Sequence, residues 1–141
     1  MADNGPHANE PRDGRQRIPP LSAFEESAKF TRAMRVGDRI IVAGNIGVEA
    51  DGSISPDAGR QAERCFELII DYIQQLGGRS DDLVRVRMFV TDIADAMAVT
   101  NAFTAACGHA RPTGTLVAIS ALAGPDFKVE IEAEAIVGAG Q

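Results

Sequence analysis

Between Leu83 and Val90 the even positions (Val84, Val86, Met88 and Val90) are all apolar, while the odd ones carry Arg85 and Arg87. A two-residue period of this kind is a strand with one face toward a core. Upstream the period changes. Ala62, Cys65, Phe66, Ile69, Ile70, Ile73 and Leu76 recur at i, i+3 and i+4, which is one face of a helix of about five turns at ~3.6 residues per turn. Ser55 and Pro56 predict its start, serine as N-cap and proline at the first helical position, where its missing N–H costs nothing. Gly77-Gly78 predicts its end.

The same reading supplies the other elements. Thr31 to Val36 and Asp38 to Gly44 form a hairpin around Gly37-Asp38. In its second strand Ile40 and Val42 alternate with Ile41 and Ala43, so both faces are apolar, as in a central strand covered on both sides. Asp51-Gly52 marks a tight turn. Asp92 caps a second helix with Ala96, Val99, Phe103 and Ala106 on one face, and His109-Ala110-Arg111-Pro112 ends it because a residue before proline leaves the α region. Leu116 to Leu122 and Val129 to Val137 give two final strands. The order ββαβαββ predicts an α+β fold, a mixed sheet with two helices packed on one face. The other face would then expose apolar residues of the Ile40 to Ala43 strand, and an exposed apolar face marks an interface. Residues 1–20, with Pro6, Pro11, Pro19 and Pro20 and little apolar content, predict a flexible tail, leaving 21–138 as one domain.

Composition narrows the function classes. A chain of 141 residues has room for one core. With aromatics at 5% and no Trp, that core is aliphatic. The net charge of −6 argues against binding phosphate backbones or anionic lipid, which calls for clustered Lys and Arg. Cys65 and Cys107 lie in the two helices, outside any metal-ligand spacing, and read as buried reduced thiols. No apolar run reaches the ~18 residues of a membrane span, and no secretory signal opens the chain, so a cytoplasmic location is expected. No Ser/His/Asp constellation and no phosphate-binding glycine loop is present, and no cofactor is expected.

The chemistry concentrates in the last third. Arg111-Pro112-Thr113-Gly114-Thr115-Leu116-Val117-Ala118-Ile119 is followed by Lys128-Val129-Glu130-Ile131-Glu132-Ala133. With Arg35 to Asn45 and Arg87 to Asp92 in the same order, this layout resembles the Rid family, the YjgF/RidA-like reactive-intermediate deaminases, over roughly residues 28–137. The resemblance implies a chorismate-mutase-like fold and a homotrimer with small-molecule clefts between subunits. It further implies hydrolysis of 2-imino acids, with an arginine anchoring the substrate carboxylate and an acidic residue beside the C=N carbon. Arginine suits the first task because its planar fork pairs both carboxylate oxygens; glutamate suits the second by orienting water or shuttling a proton.

Carried over residue by residue, Glu130 stands at the family's acid. Gly44 stands at a glycine whose backbone faces the ligand, Phe30 at a site tyrosine without its hydroxyl, and Leu116 at a common cysteine that serves through its backbone N–H. Gly114 stands where the family has its arginine. Losing such an anchor costs about 2–5 kcal/mol, so efficient hydrolysis of small 2-imino acids is not expected. Arg111, three residues earlier, could reach into the space that Gly114 leaves; by base rate it reads more readily as an exposed loop arginine. Backbone N–H groups around Thr115 could stabilise developing charge. Glu130, Glu132 and Glu134 share one strand face, which also describes an ordinary solvated face, and Gly44 could be a turn glycine. Two classes stay open: a hydrolase of another small imine or enamine, and a non-catalytic trimer that binds a small molecule or partner in the same clefts. A ribonuclease or translation-inhibitor role, also claimed within the family, is disfavoured by the acidic charge.

Overall fold

The computed structural model describes residues 13–141. Its elements run β1 (Arg15–Arg17), α1 (Ala23–Ala28), β2 (Ala33–Val36), β3 (Arg39–Ile46), α2 (Ala58–Gln75), β4 (Leu83–Val90), α3 (Ala96–Cys107), β5 (Thr113–Ala118) and β6 (Val129–Ile136). The strands form one sheet in the order β1-β2-β3-β6-β4-β5, antiparallel throughout except for the parallel pair β4–β5. The expected α+β architecture is present, with α2 and α3 packed against each other over one face of a mixed sheet.

The core lies between that face and the two helices. Ile40 and Val42 of β3, Val86, Met88 and Val90 of β4, and Val129, Ile131 and Ala133 of β6 meet Ala62, Cys65, Phe66, Ile69 and Ile73 of α2. The periodicity locates α2 and β4 well, with local corrections. A register shift between Leu83 and Arg85 puts Leu83 in the core and leaves Val84 only half-buried. The N-cap of α2 is Asp57, whose carboxylate accepts from the Arg60 N–H at 3.0 Å; Ser55 instead accepts from the Asp57 N–H at 3.1 Å, one step before the helix. Asp92 caps a single 3₁₀ turn, Ile93–Asp95, that leads into α3. β5 runs over Thr113–Ala118 rather than 116–122, because β4 ends at Val90, opposite Ala118, and offers little beyond it to pair with.

Two larger departures concern coverage. Ile41 is 39% exposed, so β3 is central in the sheet but covered on one face only within a single chain. Part of the segment expected to be a tail is instead structured. Arg15–Arg17 pair antiparallel with β2, and the buried Ile18 donates its N–H to Ala33 at 3.0 Å. The free edge of β2 supplies the hydrogen bonds, and Pro19-Pro20 stop the strand because they have no N–H to give. Residues 1–12, the rest of the expected tail, lie outside the described residues.

Both cysteines are free and buried. Burial pushes each thiol up to about 12 from an ordinary 9.0, with the Glu130 charge adding to the effect on Cys65. The folded state therefore keeps protons that the unfolded chain releases. Stability is full below pH 9 and falls as pH rises toward 12, which chemical denaturation across that range would show, with a shallower fall in Cys65→Ala. Asp57→Ala should cost about 1 kcal/mol in the same measurement; an unchanged value would return the cap to Ser55.

Candidate active site around Glu130

The site begins with an irregularity in β3. Val42 lies opposite Ala133 and Asn45 opposite Ile131, so β3 carries one residue more than β6 between these pairs. This β-bulge bends the strand and re-aims its backbone. Asn45 stays buried, its side-chain amide donating to the Ala43 carbonyl at 2.8 Å, while its own carbonyl accepts from Cys65 Sγ at 3.1 Å. Gly44, inside the bulge, lies against the Glu130 side chain: a Cβ there would sit 2.6 Å from Glu130 Oε1. A side chain at this position would displace the Glu130 carboxylate, so the glycine serves close approach rather than a turn.

Arg32 holds this arrangement. Its Nη1 donates to the Gly44 carbonyl. Its Nε donates to Glu25 Oε1 at 3.0 Å, with Nη2 2.9 Å from the same oxygen. The second Glu25 oxygen accepts from the Leu21 N–H at 2.7 Å. Glu25 is buried in the first turn of α1, which Ser22 caps. The guanidinium also lies over the Phe30 ring, 5.1 Å from its centroid, and Phe30 meets Phe24 edge-on at 6.0 Å. One arginine thus ties α1, the bulge and an aromatic pair together.

These groups line an open pocket of about 410 Å³. Phe24, Phe30, Ile46, Leu122 and Ala123 give it apolar walls, and Glu130 and Arg32 are its charged members with Glu25. Leu122 and Ala123 belong to the segment between β5 and β6, which Gln61 pins to α2. Fully buried, Gln61 donates to the carbonyls of Ser55 at 2.8 Å and Asp126 at 2.9 Å, and accepts from the Lys128 N–H at 2.9 Å.

The three carboxylates of β6 differ in their surroundings. Glu132 pairs with Arg87 at 2.8 Å and Glu134 with Arg39 at 3.0 Å. Glu130 has no ion-pair partner among the described residues, since the nearby Lys128 ammonium donates to the Pro56 carbonyl at 2.7 Å. Among the described residues, no group of three or more His, Cys, Asp or Glu is placed to hold a metal ion.

Glu130, Gly44 and Phe30 are therefore brought together; the β5 candidates are not. Gly114 lies opposite Val86 and Leu116 opposite Met88, on the helix-covered face. A Cβ at Gly114 would contact the Phe103 ring at 3.5 Å, so the space there opens toward α3, not toward Glu130. The Leu116 side chain packs on the core. Thr115, opposite Arg87, is exposed on the open face. Arg111 is exposed at the start of β5, with a positive φ of 48°. Within one chain these four residues and Glu130 do not share a cleft.

Arg32, Glu25 and Gln61 escape a pattern-based reading. Ser22-Ala-Phe-Glu25 carries the Ser-x-x-Glu signature of a helix start, and Gln61 interrupts the apolar stripe of α2 four residues before Cys65; both signals were available. Because the Arg32–Glu25 pair is mostly buried, at 18% and 6% side-chain exposure, removing one partner strands the other. Arg32→Met and Glu25→Gln should each cost about 3–5 kcal/mol in denaturant unfolding, and the double variant less than their sum. Strict additivity would mean that the pair does not act as a unit.

The family model described as endoribonuclease L-PSP matches residues 20–137. The RutC family protein YjgH of Escherichia coli is 31% identical over 107 residues, covering 73% of this chain and 80% of that protein. The 2-iminobutanoate/2-iminopropanoate deaminase of Salmonella typhimurium is 27% identical over 111 residues, covering 76% of this chain and 86% of that enzyme. In the solved structures, a member of the YjgF/YER057c/UK114 family from Mycobacterium tuberculosis superposes with a TM-score of 0.80 at 34% identity, over 87% of this chain and 99% of that one. With the fold and most of the chain's length matched, the protein belongs to the YjgF/RidA family, the family of the endoribonuclease L-PSP model.

Proposed function

We propose that the protein hydrolyses a small imine or enamine, a deaminase-type reaction, and that Glu130 is its catalytic acid–base. The observation that carries this reading is the Glu130 carboxylate: without an ion-pair partner among the described residues, it lies against Gly44 in an apolar-walled pocket. A carboxylate so placed can take a proton from water as the water oxygen bonds to the imine carbon. The C=N π pair moves to nitrogen, which takes that proton back from the carboxyl, giving a neutral carbinolamine. The carboxylate then accepts the carbinolamine hydroxyl proton and delivers it to nitrogen as the C=O bond forms and the C–N bond breaks, leaving a carbonyl compound and ammonia. The kinship with a 2-iminobutanoate/2-iminopropanoate deaminase supports the reaction class.

The substrate preference of that relative is not carried over. In our reading Gly114 stands at the family's arginine position, so the carboxylate anchor is missing and small 2-imino acids are poor substrates. The working unit is a homotrimer with clefts between subunits. Two observations support it: the open sheet face exposes Ile41 and Val117 at 39% and 42%, and the Glu130 pocket and the β5 candidates lie apart within a chain. In that assembly the backbone N–H groups around Thr115 would face Glu130 from a neighbouring copy. The net charge of −6 weighs against an RNA substrate.

The test is carbonyl release from freshly generated imines, with and without a carboxylate, by wild type, Glu130→Gln and Arg111→Ala. Glu130→Gln should lose at least about 100-fold in turnover, the usual scale of a general acid–base contribution, while its oligomeric state by light scattering is unchanged. No acceleration over buffer by the wild type would move the protein to the second class, a trimer that binds without turnover.

A further inference from the structure

The charge balance of the pocket suggests what it admits, and the inference rests on the functional reading above. Among the described residues Arg32 is the one arginine lining this pocket, but its charge is matched by Glu25 at 2.9 Å and its Nη1 is engaged by the Gly44 carbonyl. Its π face is occupied by Phe30. Lys128 is held away by the Pro56 carbonyl, and Arg87, which pairs in register with Glu132 two residues along β6, is directed to that carboxylate. What remains is one uncompensated carboxylate, Glu130, among Phe24, Phe30, Ile46 and Leu122.

A ligand carboxylate entering this pocket would meet a like charge in a partly desolvated site, which is unfavourable. A planar N–H cation would meet Glu130 as a charge-assisted hydrogen-bond donor, with its apolar body against the aromatic pair. We infer that the Glu130 pocket selects substrates by a protonated C=N group carried on an apolar, carboxylate-free body. The ligand class is an iminium or amidinium bearing a ring or branched alkyl group, in place of the small 2-imino acid. Specificity then comes from Glu130 together with the Phe24–Phe30 wall, and Arg32 acts as a positioning residue that presents the carboxylate rather than as an anion anchor.

Benzamidine, benzamide and benzoate share a shape and carry charges of opposite sign around a neutral member, which makes them suitable probes. Calorimetric titration of the full chain should find benzamidinium binding at least about tenfold tighter than benzoate, a difference of about 1.4 kcal/mol. Glu130→Gln should bring benzamidinium to the level of benzamide while leaving benzamide unchanged. Arg111→Ala should leave the ranking in place. Benzoate binding as tightly as benzamidinium, benzoate binding that disappears in Arg111→Ala, or binding of none of the three would each overturn the inference. Its failure is separable from that of the hydrolase reading. An enzyme that releases carbonyl product from carboxylate-bearing imines and ignores benzamidinium would keep the reaction and discard this specificity.

Discussion

The Arg32–Glu25 pair is the interaction on which the site's geometry rests. A bulge in a central strand costs hydrogen bonds in the ladder, and a bulged backbone needs partners for the groups it frees. Arg32 provides one by donating to the Gly44 carbonyl, and Glu25 both neutralises the arginine and fixes its direction. Asn45 serves the other side of the bulge by capping Ala43. Glu130 can then lie flat against Gly44 in space that any side chain would occupy. An ion pair with 6% exposure at its acid adds little net stability relative to a well-packed apolar pair. Its contribution is geometric: it sets where a third, unpaired charge ends up.

The rest of the fold supports that placement from both sides of the sheet. α2 covers the inner face with aliphatic residues and, through Gln61, reaches over to hold the segment that carries Leu122 and Ala123. A fully buried amide with three good hydrogen bonds fixes a loop more specifically than apolar contact does, because moving the loop would leave polar groups unpaired. On the outer face the ion pairs Arg87–Glu132 and Arg39–Glu134 keep two of three neighbouring carboxylates occupied. The functional distinction among three chemically identical side chains on one strand is made by their neighbours.

Much of the fold was legible from alternation and helical period, since those patterns record which face of each element is buried. The α2 stripe and the Val86, Met88, Val90 face of β4 are recovered nearly residue for residue. The misses have physical causes. Local turn chemistry decides a helix cap, and Ser55 and Asp57 compete for it within three residues. A short edge strand such as Arg15–Arg17 has no internal pattern and exists because β2 leaves an edge free. Of the site, Glu130, Gly44 and Phe30 were placed by resemblance to a family, and they converge. Gly114 and Leu116 were expected in a cleft between subunits; within one chain they lie on the helix-covered face, apart from Glu130. Their strand pairs parallel to β4, which no local pattern discloses. Arg32 was invisible because its importance lies in a carbonyl twelve residues away and a carboxylate on another element.

The most direct measurement is a backbone amide NMR titration of the assembled protein with benzamidine, following residues on both sides of the sheet. If the pocket held open by Arg32 is the ligand site, Gly44, Phe30, Ala123 and Glu130 shift together and saturate with one affinity. Shifts confined to Gly114, Thr115 and Leu116, with Gly44 and Glu130 unmoved, would contradict it and transfer the site to the β5 edge.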